Sequence, residues 1–195
     1  DSLALLRKLG AELVDFSPLE AETLPENLQG LYLPGGYPEL YAEALSQNQT
    51  MRESVRKAVT GGLPCIAECG GFLYLTEKIG SCPMAGALKG GCFDTGKLTR
   101  FGYVTLTAQK DNLLCRAGET IPAHEFHHWD ADHPGESFRA EKPSGRSWLC
   151  AHASKTLYAG FPHFHFYANP SFAVRFLDAC RKESCHAERP QAHGD

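Results

Sequence analysis

Short apolar runs alternate with helical stretches through the first half of this chain, and this alternation restricts the fold more than any other feature. Residues 30–33 and 64–68 have the pattern of buried strands, and helical stretches around residues 39–45 and 51–60 lie between them. No hairpin-type turn joins these elements, so the connections must cross over and the strands must run parallel. The sequence therefore predicts an α/β fold with a mostly parallel sheet flanked by helices.

The second half of the chain has a different pattern. Residues 101–107 alternate as a strand, and shorter strand candidates lie at 123–129, 137–140 and 157–161 between turns. Short strands separated by turns favour antiparallel pairing, so we expect an antiparallel extension of the sheet here. A last helix is predicted over residues 171–182, and four residues form its apolar positions: Phe172, Val174, Phe176 and Leu177.

The two ends of the chain set the expected domain limits. The sequence opens without a methionine on an amphipathic helix, and a short strand is predicted at residues 11–16, before Ser17-Pro18. No strand precedes the helix, so we expect the first strand of the domain upstream of residue 1, in a longer protein. One domain is predicted over residues 1–182, and the polar residues 183–195 are predicted to form a disordered tail.

Charge and composition exclude several classes of protein. The net charge of −4 provides no general attraction to nucleic acid or to an anionic membrane, and no apolar run approaches the roughly 18 residues that span a bilayer. The chain has eight cysteines in 195 residues, but it is not short and has no visible secretory signal. Such cysteines indicate a reducing compartment rather than a disulfide framework. We therefore expect a cytoplasmic protein with no nucleic-acid or membrane partner.

Cys69 is the strongest candidate for a catalytic nucleophile. It lies at the tip of a predicted buried strand, and Gly70-Gly71 and a predicted helix follow at once. This is the layout of a nucleophile elbow, in which the N–H of Gly70 points at a substrate carbonyl. The helix that begins here favours the reactive thiolate. The spacing alone fits equally well a buried thiol before a Gly-Gly loop.

Pro34-Gly35-Gly36 follows the neighbouring predicted strand and offers a second feature at the same edge of the sheet. Ligands bind beyond the carboxyl ends of parallel strands, where these glycines lie. Gly35 and Gly36 are candidates for backbone donors in an oxyanion hole. Taken alone, this segment is better explained as a plain turn.

A cysteine nucleophile needs a base, and His163 and His165 are the candidates. Both follow a strand-like run, and alternation predicts that they share one face while phenylalanines occupy the other. A single histidine in this position would more often be structural. Two histidines downstream of an elbow cysteine favour a Cys–His pair instead.

Five ordered segments together resemble the carboxy-terminal half of the cobyrinic acid a,c-diamide synthases. They cover about residues 1–180, in the order and approximate spacing of that family. The segments are LPGGYPELY (33–41), AECGG (67–71), LTRFGY (98–103), HEFH (124–127), and the His163/His165 segment with Asn169-Pro170. Five blocks in order are far more specific than any single motif.

The resemblance implies a class I glutamine amidotransferase fold with a flavodoxin-like sheet. It implies Cys69 as the nucleophile and His163 as the base, with His165 as an alternative base or orienter. Gly70 and one of Gly35 or Gly36 are expected to form the oxyanion hole and bind glutamine. Most class I amidotransferases have a glutamate two residues beyond the catalytic histidine, where this chain has His165. We therefore expect a Cys–His dyad whose histidine is oriented by a group that the sequence does not identify.

The resemblance also implies what the domain works with. Glutamine is its expected substrate, and ammonia is expected to pass to an ATP-dependent synthetase domain that amidates the a and c carboxylates of cobyrinic acid. No GxxxxGK[ST] segment occurs here. We therefore expect ATP, Mg²⁺ and the corrinoid in that other domain of a longer chain, and no cofactor or metal in this one. Two alternatives stay open: a non-catalytic amidotransferase-like interaction module, and a cysteine hydrolase or peptidase of the same fold.

The segment HEFHH (124–128) matches the H-E-x-x-H pattern of zinc proteases. That motif binds zinc only on a helix, and Pro122 and Pro134-Gly135 leave little room for one. On a strand, His124 and His128 would lie about 13 Å apart, too far to share one metal ion. We therefore expect no zinc site in this segment.

Overall fold

The structure is a computed structural model that describes residues 2–187, with side chains described as far as residue 182. Its α-helices are α1 (Ser2–Lys8), α2 (Ala42–Gln47), α3 (Gln49–Thr60), α4 (Gly70–Leu75) and α5 (Pro170–Ala187). Short 3₁₀ helices cover Pro38–Tyr41 and Phe166–Ala168. No helix within residues 2–187 combines the length and the apolar character needed to cross a membrane.

A four-stranded sheet forms the centre of the fold. Its order is β1 (Leu31–Leu33), β2 (Cys65–Glu68), β12 (Leu157–Gly160) and β11 (His152–Ala153). β1 and β12 both run parallel to β2, and β11 pairs antiparallel to β12. β2 is completely buried between its neighbours. The predicted parallel arrangement of the strands before Gly35 and Cys69 is therefore confirmed.

The predicted antiparallel extension is a five-stranded sheet. Its strands, in spatial order, are β10 (Ser147–Cys150), β9 (Phe138–Glu141), β6 (Arg100–Ala108), β7 (Thr120–His127) and β13 (His163–Phe164). A smaller third sheet contains β4 (Cys82–Pro83), β3 (Lys78–Ile79), β5 (Gly91–Asp94) and β8 (Trp129–Ala131). β13 joins the edge of the five-stranded sheet immediately after β12 leaves the central one.

Helices cover the central sheet on both sides. α3 buries Met51, Val55 and Val59, which repeat every four residues and so form one apolar stripe. This stripe packs in the core cluster that contains the α4 side chains. On the other side, Leu5 and Leu6 of α1 join a cluster with the aromatic residues of α5. The expected α/β architecture with flanking helices is confirmed.

Several local predictions need correction. Residues 11–16 form no strand and join none of the described sheets. The helix predicted after Cys69 is short: it ends at Leu75, and a hairpin of β3 and β4 follows it. Val174 is 40% exposed rather than an apolar core position of α5.

The predicted start of the tail at residue 183 falls inside a helix. α5 continues to Ala187, so residues 183–187 are helical rather than a disordered tail. Residues 188–195 lie outside the described part of the chain. Single-sequence patterns locate a helix better than its last turn, because polar residues at a helix end resemble those of a loop.

Gly71 provides a test of the packing between α4 and the central sheet. A Cβ atom at Gly71 would overlap the carbonyl oxygen and Cβ of Leu33 in β1. Backbone atoms cannot move aside as a flexible side chain can, so we expect Gly71→Ala to lower the free energy of unfolding by about 1–3 kcal/mol. Urea unfolding measures the change.

The matched control is Gly36→Ala in the adjoining loop. A Cβ atom at Gly36 meets nothing within 4 Å, so this variant should unfold close to the wild-type midpoint. Equal stability of both variants would contradict the close approach of α4 to β1.

Candidate functional site

Cys69 occupies a strained turn between β2 and α4. Its backbone has φ 47° and ψ −102°, a conformation that costs a non-glycine residue free energy and persists where the surroundings impose it. The N–H of Cys69 donates to the carbonyl of Gly160 in β12, at 2.7 Å. The turn is therefore fixed from the neighbouring parallel strand. The predicted elbow is present in the structure.

The elbow lies against the Pro34-Gly35-Gly36 loop at backbone distance. A Cβ atom on Gly70 would lie 2.7 Å from the carbonyl oxygen of Gly36 and 2.8 Å from its nitrogen. Only glycine permits this approach. Gly70 begins α4, so its N–H has no acceptor within the helix. No hydrogen bond within residues 2–187 uses the N–H of Gly36 either.

His163 reaches Cys69 from the adjacent sheet. It lies in β13, its side chain is about one-third exposed, and it interacts with the Cys69 side chain. A Cβ atom on Gly35 would overlap the His163 ring. Gly35 thus makes room for the imidazole, while Gly36 faces the elbow. The two glycines of this loop therefore have different neighbours, the His163 ring for Gly35 and the elbow for Gly36.

Glu68 is the group that contacts the other side of the His163 ring. Its carboxylate lies 3.5 Å from His163 Nδ1, which leaves Nε2 for Cys69. Glu68 is buried, and it also accepts hydrogen bonds from the Tyr32 hydroxyl at 3.1 Å and the Phe164 N–H at 3.4 Å. The sequence motifs do not identify Glu68 as part of the site. Its signal was a carboxylate at the end of a buried strand, where an ionisable group needs a partner.

The electrostatics of this cluster favour a protonated His163. The hydrogen bond with Cys69, followed by that with Glu68, raises the pKa of His163 to about 10. Burial opposes this shift but is the smaller effect. The arrangement therefore holds an imidazolium beside the sulfur of Cys69.

His165 does not join this group. β13 ends at Phe164, so the alternation that predicted a shared face for both histidines stops before residue 165. The His165 side chain is exposed and stacks on Tyr167 with ring centroids 5.5 Å apart. Among the described contacts, none joins His165 to Cys69 or His163.

A small cavity of about 40 Å³ opens at Cys69. Gly36, Gly70 and Glu39 line it on one side, and residues 126–129 of β7, β8 and the turn between them line the other. Burial raises the pKa of Glu39. A larger, mainly apolar cavity of about 320 Å³ shares Gly36 and Gly70 with it but is not lined by Cys69 or His163.

His127 presents a bare acceptor beside this cavity. Its Nδ1 lies 2.6 Å from the Trp129 carbonyl and must donate to it, so Nε2 carries the lone pair. The ring stacks on Phe161 at 3.9 Å. Burial lowers the pKa of His127 and keeps the ring neutral. Nε2 is buried and has no partner within residues 2–187. In the sequence, His127 stands out only as part of the H-E-x-x-H segment, and nothing there indicates that it presents an acceptor beside the cavity.

The H-E-x-x-H segment lies on a strand, as predicted. Residues 120–127 form β7, where Glu125 points inward and His124 lies on the opposite, partly exposed face. Burial raises the pKa of Glu125 to about 7, against the opposing effect of Arg100 at 4.0 Å. Among the side chains that the structure describes, residues 2–182, no group of three His, Cys, Asp or Glu is arranged to hold a metal ion.

Comparison with known proteins gives a consistent family match. The model of the CobB/CobQ-like glutamine amidotransferase domain matches residues 1–171. A cobyrinate a,c-diamide synthase from Caldanaerobacter subterraneus subsp. tengcongensis is 38% identical over 188 residues, 92% of this chain and 42% of that protein. A hydrogenobyrinate a,c-diamide synthase from Streptomyces coelicolor is 37% identical over 182 residues, 91% of this chain and 36% of that protein. The chain spans about two-fifths of such relatives.

Solved structures with low sequence identity share the fold. A glutamine amidotransferase crystal structure aligns with a TM-score of 0.59 at 20% identity and covers 91% of both chains. The structure of PurLQS from Thermotoga maritima aligns with a TM-score of 0.56 at 17% identity, over 82% of this chain and 81% of that one. Both confirm the expected amidotransferase fold.

The raised pKa of His163 is directly measurable by NMR of its Cε1–H group. We expect the imidazolium to persist at pH 8 and to titrate near pH 10. Because the pKa of His163 is raised in the folded state, His163 stabilises the fold fully below about pH 6.5. This stabilisation is lost as the pH rises through 10. Because the contact with Cys69 has the larger effect, Cys69→Ala should lower the pKa more than Glu68→Gln.

The control for this titration is His165→Gln, which should leave the His163 signal unchanged. A His163 pKa near 6.5 in the wild-type chain would contradict the described contacts. So would a larger drop in Glu68→Gln than in Cys69→Ala.

Proposed function

The chain belongs to the family of CobB/CobQ-like glutamine amidotransferase domains, and we propose that it hydrolyses glutamine at Cys69 to release ammonia. The observation that carries this proposal is the contact of His163 with both Cys69 and Glu68 at a strained elbow. A thiol, a base and a carboxylate in this order are the arrangement that nucleophilic acyl transfer requires.

The first step is attack of the Cys69 thiolate on the side-chain amide carbon of glutamine. The carbonyl π bond opens, and the negative charge moves to the oxygen. The N–H groups of Gly70 and Gly36 are the donors for this oxyanion, since neither is used within the described residues. We assign Gly35 a different role, because a side chain there would displace His163.

His163 then acts first as an acid and later as a base. The imidazolium donates a proton to the amide nitrogen, the C–N bond breaks, and ammonia leaves a γ-glutamyl thioester on Cys69. Neutral His163 next takes a proton from water as the water attacks the thioester. The C–S bond breaks, and glutamate and the thiolate–imidazolium pair are regenerated.

Glu68 serves as a positioning residue in this mechanism. Its carboxylate holds His163 Nδ1, as a glutamate two residues beyond the histidine does in most class I amidotransferases. The bare Nε2 of His127 and the carboxylate of Glu39 line the same cavity and supply acceptors. Glutamine brings N–H donors at both its amide and its ammonium group, which fits these acceptors.

The ammonia is passed to a synthetase domain of a longer chain. The supporting observation is length, because the relatives are more than twice as long as the matched region. We propose that this second domain binds ATP and Mg²⁺, activates corrinoid carboxylates as acyl phosphates and amidates the a and c positions. A synthase that consumes ATP and glutamine would act in the cytoplasm.

The two alternatives receive less support. A non-catalytic interaction module would have no need of a strained Cys69 fixed beside His163, since such strain is characteristic of functional sites. A peptidase of the same fold is not favoured by the matches to diamide synthases along 36–42% of their length. Glutamine hydrolysis accounts for both the geometry and the family.

Labelling with 6-diazo-5-oxo-norleucine tests the glutamine site. We expect mass spectrometry to find a single adduct on Cys69, which excess glutamine prevents. His163→Ala should abolish labelling, because the thiolate loses its imidazolium partner. His165→Gln is the matched control and should label at the wild-type rate. An adduct that forms equally well in His163→Ala, or on another cysteine, would contradict the proposed site.

The release of ammonia in one domain and its use in another are tested separately. In the longer synthase, Cys69→Ala should abolish glutamine-dependent amidation and leave amidation driven by ammonium salts intact. Product formation from each nitrogen source is followed separately at saturating ATP. Loss of both activities in a folded variant would contradict this division.

A further inference from the structure

An exposed aromatic surface lies on the outer face of β6 and β7. We call it the aromatic platform, and it contains Phe101, Tyr103, His124, Phe126 and His128. Phe101 lies opposite Phe126, and Tyr103 lies opposite His124, in the register of the two strands. Their rings contact one another edge to face, between β6 and β7 and from Phe126 to His128 just after β7, with centroids 5.2–5.9 Å apart.

The platform is not needed by the core of this domain. The inward residues of the same strands, such as Val104 and Leu106, are already buried in the main cluster. By contrast, Tyr103 is 78% exposed and Phe101 is 57% exposed. Single exposed apolar residues are ordinary, but a contiguous group of aromatic rings marks an interaction surface.

The platform begins at the catalytic centre. His163 in β13 pairs directly with His124 in β7, so the two side chains stand on the same face of the sheet. Phe126 and His128 also line the cavity at Cys69. One continuous row therefore runs from His163 through His124 to Tyr103, across three neighbouring strands.

The opposite rim of the cavity is also apolar and exposed. Tyr37 lines the cavity, and the 3₁₀ helix after it exposes Leu40 and Tyr41. Leu40 is 72% exposed, although it is a large aliphatic side chain. The mouth of the cavity is thus flanked on both sides by exposed apolar side chains.

We propose that the aromatic platform docks the synthetase domain and thereby turns the mouth of the Cys69 cavity toward it. This inference rests on the proposed function. More than half the length of the diamide synthase relatives lies outside the matched region, which is enough chain for such a domain. Aromatic residues are enriched at the cores of interfaces, where they bury large areas at low cost in side-chain entropy.

Chemistry favours this occupant over a second copy of the chain. Ammonia released at Cys69 has to reach an activated carboxylate, so the surface around the exit must face the domain that holds it. A second copy on the platform would close the cavity against another glutaminase site and leave the ammonia without an acceptor. A synthetase domain would both bury the exposed apolar surface and receive the ammonia.

Hydroxyl-radical footprinting tests the docking directly. The oxidation of Tyr103 and Phe101 is compared between the isolated chain and the longer synthase. We expect both side chains to be oxidised in the isolated chain and protected in the synthase. Leu149, exposed in β10 at the far edge of the same sheet, is the internal control and should react equally in both. Equal oxidation of Tyr103 in the two proteins would overturn the proposal.

A functional experiment uses Tyr103→Ala in the longer synthase. We expect the amide formed per glutamate released to fall about tenfold, the loss expected at an interface hot spot. Amidation from ammonium salts and labelling of Cys69 should stay at wild-type levels, because Tyr103 does not line the cavity. Leu149→Ala is the matched control and should keep the wild-type ratio. An unchanged ratio in Tyr103→Ala would overturn the proposal.

The outcomes separate this inference from the proposed function. If the diazo-ketone fails to label Cys69 even in the longer synthase, the glutaminase assignment fails and the docking proposal falls with it. If Cys69 is labelled but Tyr103 is not protected, only the docking proposal fails. Sedimentation of the isolated chain decides on a second copy: a dimer in which Tyr103 is already protected would overturn the proposed occupant.

Discussion

The parallel register of β1, β2 and β12 is the constraint on which the site depends. Leu33, Ala67 and Ala159 lie side by side, so the segments that follow them emerge at one edge of the sheet. The glycine loop, the elbow and the segment leading to His163 meet there for that reason. The hydrogen bond from the Cys69 N–H to the Gly160 carbonyl continues this ladder by one residue and imposes the strained turn.

The site contains buried polar groups, and only some of them have hydrogen-bond partners among the described residues. Glu68 has three partners, Tyr32 in β1 and His163 and Phe164 in β13, so its carboxylate is compensated. His127 Nε2 has none among residues 2–187 and lies at the cavity. An acceptor without a donor costs free energy in the absence of ligand, and a substrate with N–H groups removes that cost.

The sequence predicted the parts of the site that depend on local order. Cys69 follows a buried strand and precedes two glycines, and both features lie within residues 65–71. Glu68 and His127 could not be assigned in this way. Glu68 contacts His163, which is 95 residues away, and the His127 ring stacks on Phe161, which is 34 residues away, so only the tertiary fold sets their geometry. The strand predicted at residues 11–16 was wrong for the same reason. Alternation shows which residues share a face, but it does not show whether a neighbouring strand is present to pair with.

The size of the cavity connects the catalytic centre to the aromatic platform. About 40 Å³ is close to the volume of one or two water molecules, which suits the carboxamide end of glutamine but not the whole amino acid. Under the proposed function, we expect the amino and carboxylate groups of glutamine to extend out of this space, past lining residues such as Glu39, Phe126 and His128. A domain seated on the platform would cover these groups. In the proposed arrangement, closure of the mouth would couple the retention of glutamine to the presence of the domain that uses its ammonia.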